Sequence, residues 1–415
     1  MKRITGLLLA LLMVLSGTLA LGEEKPAIEV TFWNGFTGAD GQVLTEIVNR
    51  YNEENDKGIF IKMDIIPWNV FEEKVPPSIA TNTAPDFFLL GSGNYGSYYK
   101  NGALQPLDAF WDVEGVNKED FTPAVLDMFT IDGKLYGIPM QTFCKYLFWN
   151  KDTFTAAGLD PEVPPATYEE LVDLAIRLSS QEENRYGLAI PSNDSTPVLH
   201  MMLAQGGKLV DEDTMTAVLN SDVNIAVFED LRKMVVDHKV SPLSTTGGEF
   251  DSILLTGAVA MTINGPWVST GFENNGINYG IAQVPSGITG QHSEVNGSCF
   301  CIPISTTDPA KLEAIYDFIS HWNTVEVGKT WSLRNGFPPY LKSVAADPEI
   351  QANARVSKMA EAMSFSQPLL TSLAIHDEVL NNVLCPAIEK VMSGADVKET
   401  LDEYNEVLAD ILKSL

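Results

Sequence analysis

Between residues 28 and 90 the chain alternates strand-like and helix-like segments in an order that few folds accommodate. Ile28–Trp33 is rich in β-branched and aromatic residues and reads as a strand. Gln42–Asn55 places Val43, Leu44, Ile47, Val48 and Tyr51 at helical spacing. Ile59–Ile66 alternates as a second strand. Phe71–Thr81 reads as a helix that Pro76 and Pro77 should break or restart. Ala84-Pro85-Asp86 then introduces an apolar strand, Phe87–Leu90. This order predicts an α/β fold with a mostly parallel sheet and helices on both faces.

The middle of the chain changes character. Gly133–Pro139 and Tyr146–Asn150 read as strands, with Met140–Lys145 between them. Pro164–Ser179 reads as a helix opened by Thr167 with Glu170 three residues on, a capping-box pattern. Helical segments continue to about Lys239, and Phe250–Thr262 leads into the turn Ile263-Asn264-Gly265-Pro266-Trp267. Ser298–Ile304 is strand-like again, and most of 310–415 is helical. No repeat, low-complexity tract, internal membrane span or Pro/Gly/Ser-rich linker interrupts this. Two α/β lobes sharing a chain that crosses more than once would explain the missing linker.

Residues 1–22 have the pattern of an export leader. Lys2 and Arg3 precede the apolar run Leu7–Leu15, and small residues lead to a cleavage site after Gly22. Cys144 is the first cysteine, so no lipid-attachment cysteine follows the site, and the expectation is a periplasmic or secreted protein. The formal charge of −28 repels nucleic acid and anionic lipid. Cys299 and Cys301 alternate along a strand-like run and are expected to be buried small hydrophobes on one face.

Chemical signatures are sparse. Gly91-Ser92-Gly93-Asn94-Tyr95-Gly96 fits G-x-G-x-x-G, but the segment turns at Asn101-Gly102 before a dinucleotide-binding helix can form. His200, His238, His292, His321 and His376 are scattered without metal spacing, and no catalytic motif occurs. No cofactor and no metal are expected. What remains is a set of aromatics outside helix stripes. Trp33 and Phe36 stand in the string FWNGFTGADGQ, Trp68 follows the second strand, Tyr95 the third, and Trp267 lies in the Asn-Gly-Pro turn. Sugars have an apolar face and a hydroxyl rim, so aromatics beside planar polar side chains suit them.

Four segments carry a family resemblance: Ala84-Pro85-Asp86-Phe87-Phe88 with Tyr98 and Gly102-Ala103-Leu104; Gly133-Lys134-Leu135-Tyr136-Gly137-Ile138-Pro139 with Trp149-Asn150-Lys151-Asp152; Pro165–Leu171; and Gly257–Trp267. Together they resemble the extracellular solute-binding proteins of ABC sugar importers, the family that includes the maltose-binding protein. The resemblance implies a two-lobed periplasmic-binding fold of type II, with a ligand cleft between lobes joined by a multi-crossing hinge. Crossings are expected near 138, 299 and 344. The N-terminal lobe would be 23–138 plus 300–343 and the C-terminal lobe 139–299 plus 344–415.

The resemblance also implies a sugar as ligand, an ABC permease as partner, and a monomer with no catalytic activity. Trp267 corresponds to a stacking aromatic. Gly93 and Asn94, beside Tyr95, stand where maltose-binding relatives carry charged sugar ligands, and Phe143 stands where they carry a glutamate. A different sugar or a more apolar face is implied. His376 and Asp377 stand where the family often has an aromatic ligand, and Arg334 is a further candidate. Trp33, Phe36 and Trp68 would line the wall. Asp40 would either bind a pair of hydroxyls or cap the helix that follows. Alternatives are a secreted glycan hydrolase, with two carboxylates about 5–9.5 Å apart across the cleft, a sensor subunit, or the same fold binding a non-sugar solute such as a glycerol phosphate.

Overall fold

The structure is a computed structural model and describes residues 28–93, 95–192, 194–211, 213–242, 247–363 and 376–413. The expected leader, 1–22, and Asn94 lie outside the described residues, as do the side chains of Tyr95, His376 and Asp377.

The first half forms as its pattern predicts. Strand β1 (Ile28–Asn34) leads to helix α1 (Ala39–Glu54), β2 (Ile59–Ile65), α2 (Trp68–Ala80) and β3 (Phe87–Gly91). β1 pairs in parallel with both β2 and β3. Helix α2 runs unbroken through Pro76 and Pro77, against expectation. Both prolines sit on the solvent face, as do Glu72 and Glu73, while Phe71, Val75 and Ser78 are buried opposite. Carbonyls that lose a proline partner there are solvated by water, so the break costs less than it would in a core.

Beyond β3 come β4 (Ile138–Phe143), β5 (Tyr146–Asn150), α3 (Tyr168–Leu178), α4 (Gly247–Leu254), β6 (Met261–Asn264), α5 (Trp267–Asn274), β7 (Tyr279–Ala282) and β8 (Asn296–Cys301). The helices α6 (Pro309–Trp322), α7 (Val325–Asn335), α8 (Ala354–Met363) and α9 (Val397–Lys413) follow. One sheet has the order β2-β1-β3-β8-β4, and a smaller antiparallel sheet has the order β6-β5-β7.

The strand expected over Gly133–Pro139 is displaced. Gly133 turns in the left-handed region at φ 73°, and only Lys134–Leu135 pairs there, with Thr130–Ile131. The long strand is instead Ile138–Phe143, so the residues from Met140 that were read as a connection are mostly sheet. Pro139 is tolerated because β4 is the sheet edge, and the register slips beside it, at Ser298/Cys299.

Each sheet has its own core. Phe32 and Phe87 stack at 4.4 Å between the first sheet and Phe318 of α6, with Phe300 alongside. Asp86 ties this sheet together. Its Oδ2 accepts from the backbone N–H and hydroxyl of Thr31, at 2.8 and 2.9 Å, and both carboxylate oxygens accept from Lys311. In β5 the period-two alternation sends Leu147 and Trp149 into one cluster and Tyr146 and Phe148 into another, so this strand is buried on both faces. Cys299 and Cys301 are fully buried free thiols with sulfurs 3.5 Å apart, on one face as expected.

Only Cys144 and Lys145 separate β4 in the first sheet from β5 in the second. Cys299 and Phe300 pair with Pro139 and Ile138 inside the first sheet, which moves the crossings expected at 138 and 299. Val344, Ile350 and Val356 pack in the first core and Met359 in the cluster around Tyr146, which moves the third. We therefore propose lobes of 28–143 plus 296–356 and of 146–295 plus 357–413. Among the described residues, no helix is long and apolar enough to cross a membrane.

The capping box on α3 is present. Thr167 Oγ1 accepts from the Glu170 N–H at 3.2 Å, and Glu170 Oε2 accepts from Ala166 and Thr167. Thr167→Ala is expected to cost about 1 kcal/mol. Urea unfolding should show a lower midpoint at unchanged slope, with Thr167→Ser retaining most of the stability.

Candidate functional site

A continuous row of rings runs from one lobe to the other: Trp68, Phe36, Trp331, Phe337, Phe143 and Trp267. Phe36 meets Trp68 edge-on at 5.7 Å and stacks on Trp331 at 6.1 Å. Trp331 stacks on Phe337 at 5.4 Å, Phe337 meets Phe143 at 6.1 Å, and Phe143 meets Trp267 at 5.3 Å. Phe36, Trp331 and Phe337 are buried, so they brace the row from within. Trp68, Phe143 and Trp267 are half-buried and keep surface for a ligand.

Two glycines set the outer tryptophans. A Cβ on Gly35 would lie 2.1 Å from the Trp68 ring, and a Cβ on Gly265 would lie 2.0 Å from the Trp267 ring. Each indole therefore lies against a backbone that only glycine leaves bare. Asn264 Oδ1 accepts from the Gly265 N–H at 2.7 Å and helps fix the turn, while Lys145 Nζ approaches the Trp267 ring to 4.8 Å.

Charged groups converge beside this row. Asp40 is the second residue of α1, whose cap is Gly38 without a side-chain bond. Asp40 Oδ1 accepts from the Gly41 N–H at 2.9 Å, and among the described residues its other oxygen has no partner. Asp40 therefore does not cap α1, as one reading of the sequence expected, but sits inside its first turn, where a carboxylate suits the helix N-terminus. Burial pushes its pKa up to about 6, opposed by the Gly41 bond and aided by the charge of Asp251. Asp251, on α4 of the other lobe, is also raised to about 6 by burial, against the pull of Lys145. Lys145 is 4 % exposed and pairs with Asp194. Burial would raise Asp194, but the charge and hydrogen bonds of Lys145, with the bond from Thr196, hold it below the usual carboxylate range. His200 is fully buried, which pushes its pKa down to about 4, and its Nε2 accepts from the Glu294 N–H.

Several expected ligands lie elsewhere. Trp33 points to the sheet face opposite Phe32 and Asn34, donates from Nε1 to Asp64 at 3.2 Å, and carries Lys74 over its ring at 3.9 Å. Strand alternation therefore takes it away from the row. Arg334 forms an exposed two-pronged pair with Glu46 within its own lobe, which occupies its guanidinium. Tyr95 opens the six-residue helix Tyr95–Lys100, and His376 and Asp377 open His376–Val379. Sequence reading missed Trp331, Phe337, Lys145 and Asp251. Trp331 sat in a stretch read only as helix, and nothing in the pattern around Lys145 marks a buried ammonium. Among the described residues, no cluster of His, Cys, Asp and Glu could hold a metal.

Two sheets on separate cores, bridged by aromatic rings and facing carboxylates, define a two-lobed ligand-binding protein. The chain belongs to the bacterial extracellular solute-binding proteins, whose family profile matches residues 46–358. That family binds solutes rather than transforming them. The galactooligosaccharide-binding protein of Bacillus subtilis is 23% identical over 401 residues, 93% of this chain and 90% of that one. The ABC transporter solute-binding protein of Thermotoga lettingae bound with α-D-tagatose superposes with a TM-score of 0.82 at 20% identity, covering 92% of this chain and 99% of that one. The UgpB protein of Mycobacterium tuberculosis, in complex with glycerophosphocholine, has a TM-score of 0.81 at 18% identity, with coverage of 94% and 99%. The fold is thus the two-lobed solute-binding fold.

A buried carboxyl with a raised pKa makes the folded state pay for its charge at neutral pH, so the penalty is absent below about pH 3.8 and complete above about pH 6. Asp40→Asn is therefore expected to stabilise the ligand-free protein at pH 7.5 by up to roughly 3 kcal/mol. It should change little at pH 4. Melting curves at the two pH values would test this.

Proposed function

We propose that this protein captures a mono- or oligosaccharide outside the cytoplasmic membrane and delivers it to an ABC permease by closing its lobes. The observation that carries the reading is a row of rings running between the lobes with half-buried Trp68 and Trp267 at its ends, together with buried Asp40 of one lobe lying close enough to Asp251 of the other to feel its charge. An aromatic face takes the apolar side of a sugar ring, and carboxylates accept from its hydroxyls. Contacts made by both lobes favour the closed form, because only differential affinity shifts such an equilibrium. The oligosaccharide and tagatose ligands named for relatives support the same class.

A phosphate ester fits less well. Lys145, the cation beside Trp267, is already paired with Asp194. The acids Asp40 and Asp251 would repel an anion. Residues 1–22 are proposed to be a leader removed on export, leaving a monomer in the periplasm or outside the cell. The permease partner would recognise the closed shape.

A thermal-shift screen against mono-, di- and oligosaccharides, with sn-glycerol 3-phosphate as a control, tests the reading. One sugar class should raise the melting temperature in a concentration-dependent way, Trp267→Ala should abolish most of that shift, and chromatography should recover the sugar unchanged. A shift with the phosphate ester alone, or steady consumption of the sugar, would overturn it.

A further inference from the structure

Asp40 is 8 % exposed and Asp251 half-buried, and neither has an ion-pair partner among the described residues. One Asp40 oxygen accepts from the Gly41 N–H, and the other has no hydrogen-bond partner there. Neither Asp251 oxygen accepts a hydrogen bond from those residues. None of these unpaired oxygens is sealed from water, unlike His200 Nδ1 or Asn335 Nδ2, so a ligand can reach them.

The two acids stand beside the row of rings, one on each lobe. A Cβ on Gly41 would lie 1.9 Å from the Phe36 carbonyl oxygen, so the loop after Phe36 folds back and holds Asp40 close to it. This loop follows the carboxyl end of β1, a strand paired in parallel on both sides, which is where open α/β sheets bind ligands. Asp251 follows Phe250 on α4, and Phe250 belongs to the cluster against which Trp267 packs. The charge of Asp251 acts on Asp40, so the pair is close across the lobes. Lys145, the cation whose charge reaches Asp251, is committed to Asp194.

We propose that the cleft takes an amino sugar, with its protonated amine held between Asp40 and Asp251. The inference rests on the sugar-binding reading above and names the class of sugar. Hydroxyls would hydrogen-bond these oxygens but leave two like charges uncompensated in a partly desolvated site. An ammonium group donates hydrogen bonds, cancels charge and can lie over an indole face such as that of Trp267 or Trp68. A divalent metal would need more ligands, and among the described residues no third acid or imidazole completes such a group.

Isothermal titration of the mature protein at pH 7 tests this, with D-glucosamine, D-galactosamine and a glucosamine disaccharide, each beside the sugar that carries a hydroxyl in place of the amine. Wild type should bind one amino sugar tighter than its neutral counterpart by roughly tenfold or more. Acetylating that amine should remove the preference. Asp40→Asn and Asp251→Asn should each lower the ratio of amino-sugar to neutral-sugar affinity by roughly tenfold. Asp40→Asn is expected to stabilise the ligand-free fold, so its lost binding could not be put down to unfolding. Equal affinity for amino and neutral sugars, or an unchanged ratio in both variants, would overturn the amine assignment and leave the sugar reading standing. A protein that binds none of these, and no saccharide in the thermal-shift screen, would overturn both.

Discussion

Trp331 is the side chain on which the junction of the molecule turns. Its indole N–H donates to Gln141 Oε1 at 3.1 Å, and its ring lies against Phe36, Phe337 and Trp322. Through these contacts the loop after β1, the edge strand β4 and the segment after α7 share one anchor. Gln141 in turn donates to Ser298 on β8, so the strands that lead towards the second lobe join the same network. A buried tryptophan with its one donor satisfied is a rigid support. The half-buried rings of Trp68 and Phe143 take their positions from it, through Phe36 and Phe337.

Against that rigid apolar frame, the polar groups are left in a less comfortable state. Asp40 and Asp251 are buried enough to hold their protons more tightly than usual. Under the proposed function, a ligand that donates hydroxyls to these carboxylates would offset part of that desolvation. The apolar rings supply affinity by area, and the acids supply selection, because an unpaired buried polar group is expensive.

Most motifs by which the sequence resembles its family prove to be structural. Asp86 fastens β1 to β3, Asn150 caps the helix that follows β5 by accepting from Asp152 and Thr153, and Thr167 caps α3. Asn264-Gly265-Pro266-Trp267 instead sets Trp267 against Phe143 at the end of the aromatic row. Of these only the Thr167 capping box was legible in the sequence, because a cap depends on residues three apart, whereas Asp86 meets Thr31 across 55 residues. The misreadings have local causes too. Pro76 and Pro77 were read as helix breakers because exposure, which decides whether a freed carbonyl meets water, is not written in the order of residues. Arg334, a further candidate ligand, is held instead by Glu46, which lies one helix away in space and 288 residues away in sequence.

From residue order alone came the α/β class and the parallel start of the sheet, because periodicity and turn chemistry act over a few residues, while the two-lobed plan followed from the resemblance of four short motifs to a family. Which side chains meet was decided only by tertiary structure. Trp33 and Phe36 stand three residues apart, and strand alternation and one loop send the first to Lys74 and Asp64 and the second to Trp331. Asp40 and Asp251 and the buried Lys145 acquire their properties from burial and from neighbours distant in the chain. Desolvation and charge proximity depend on three-dimensional packing, which no spacing of residue types encodes.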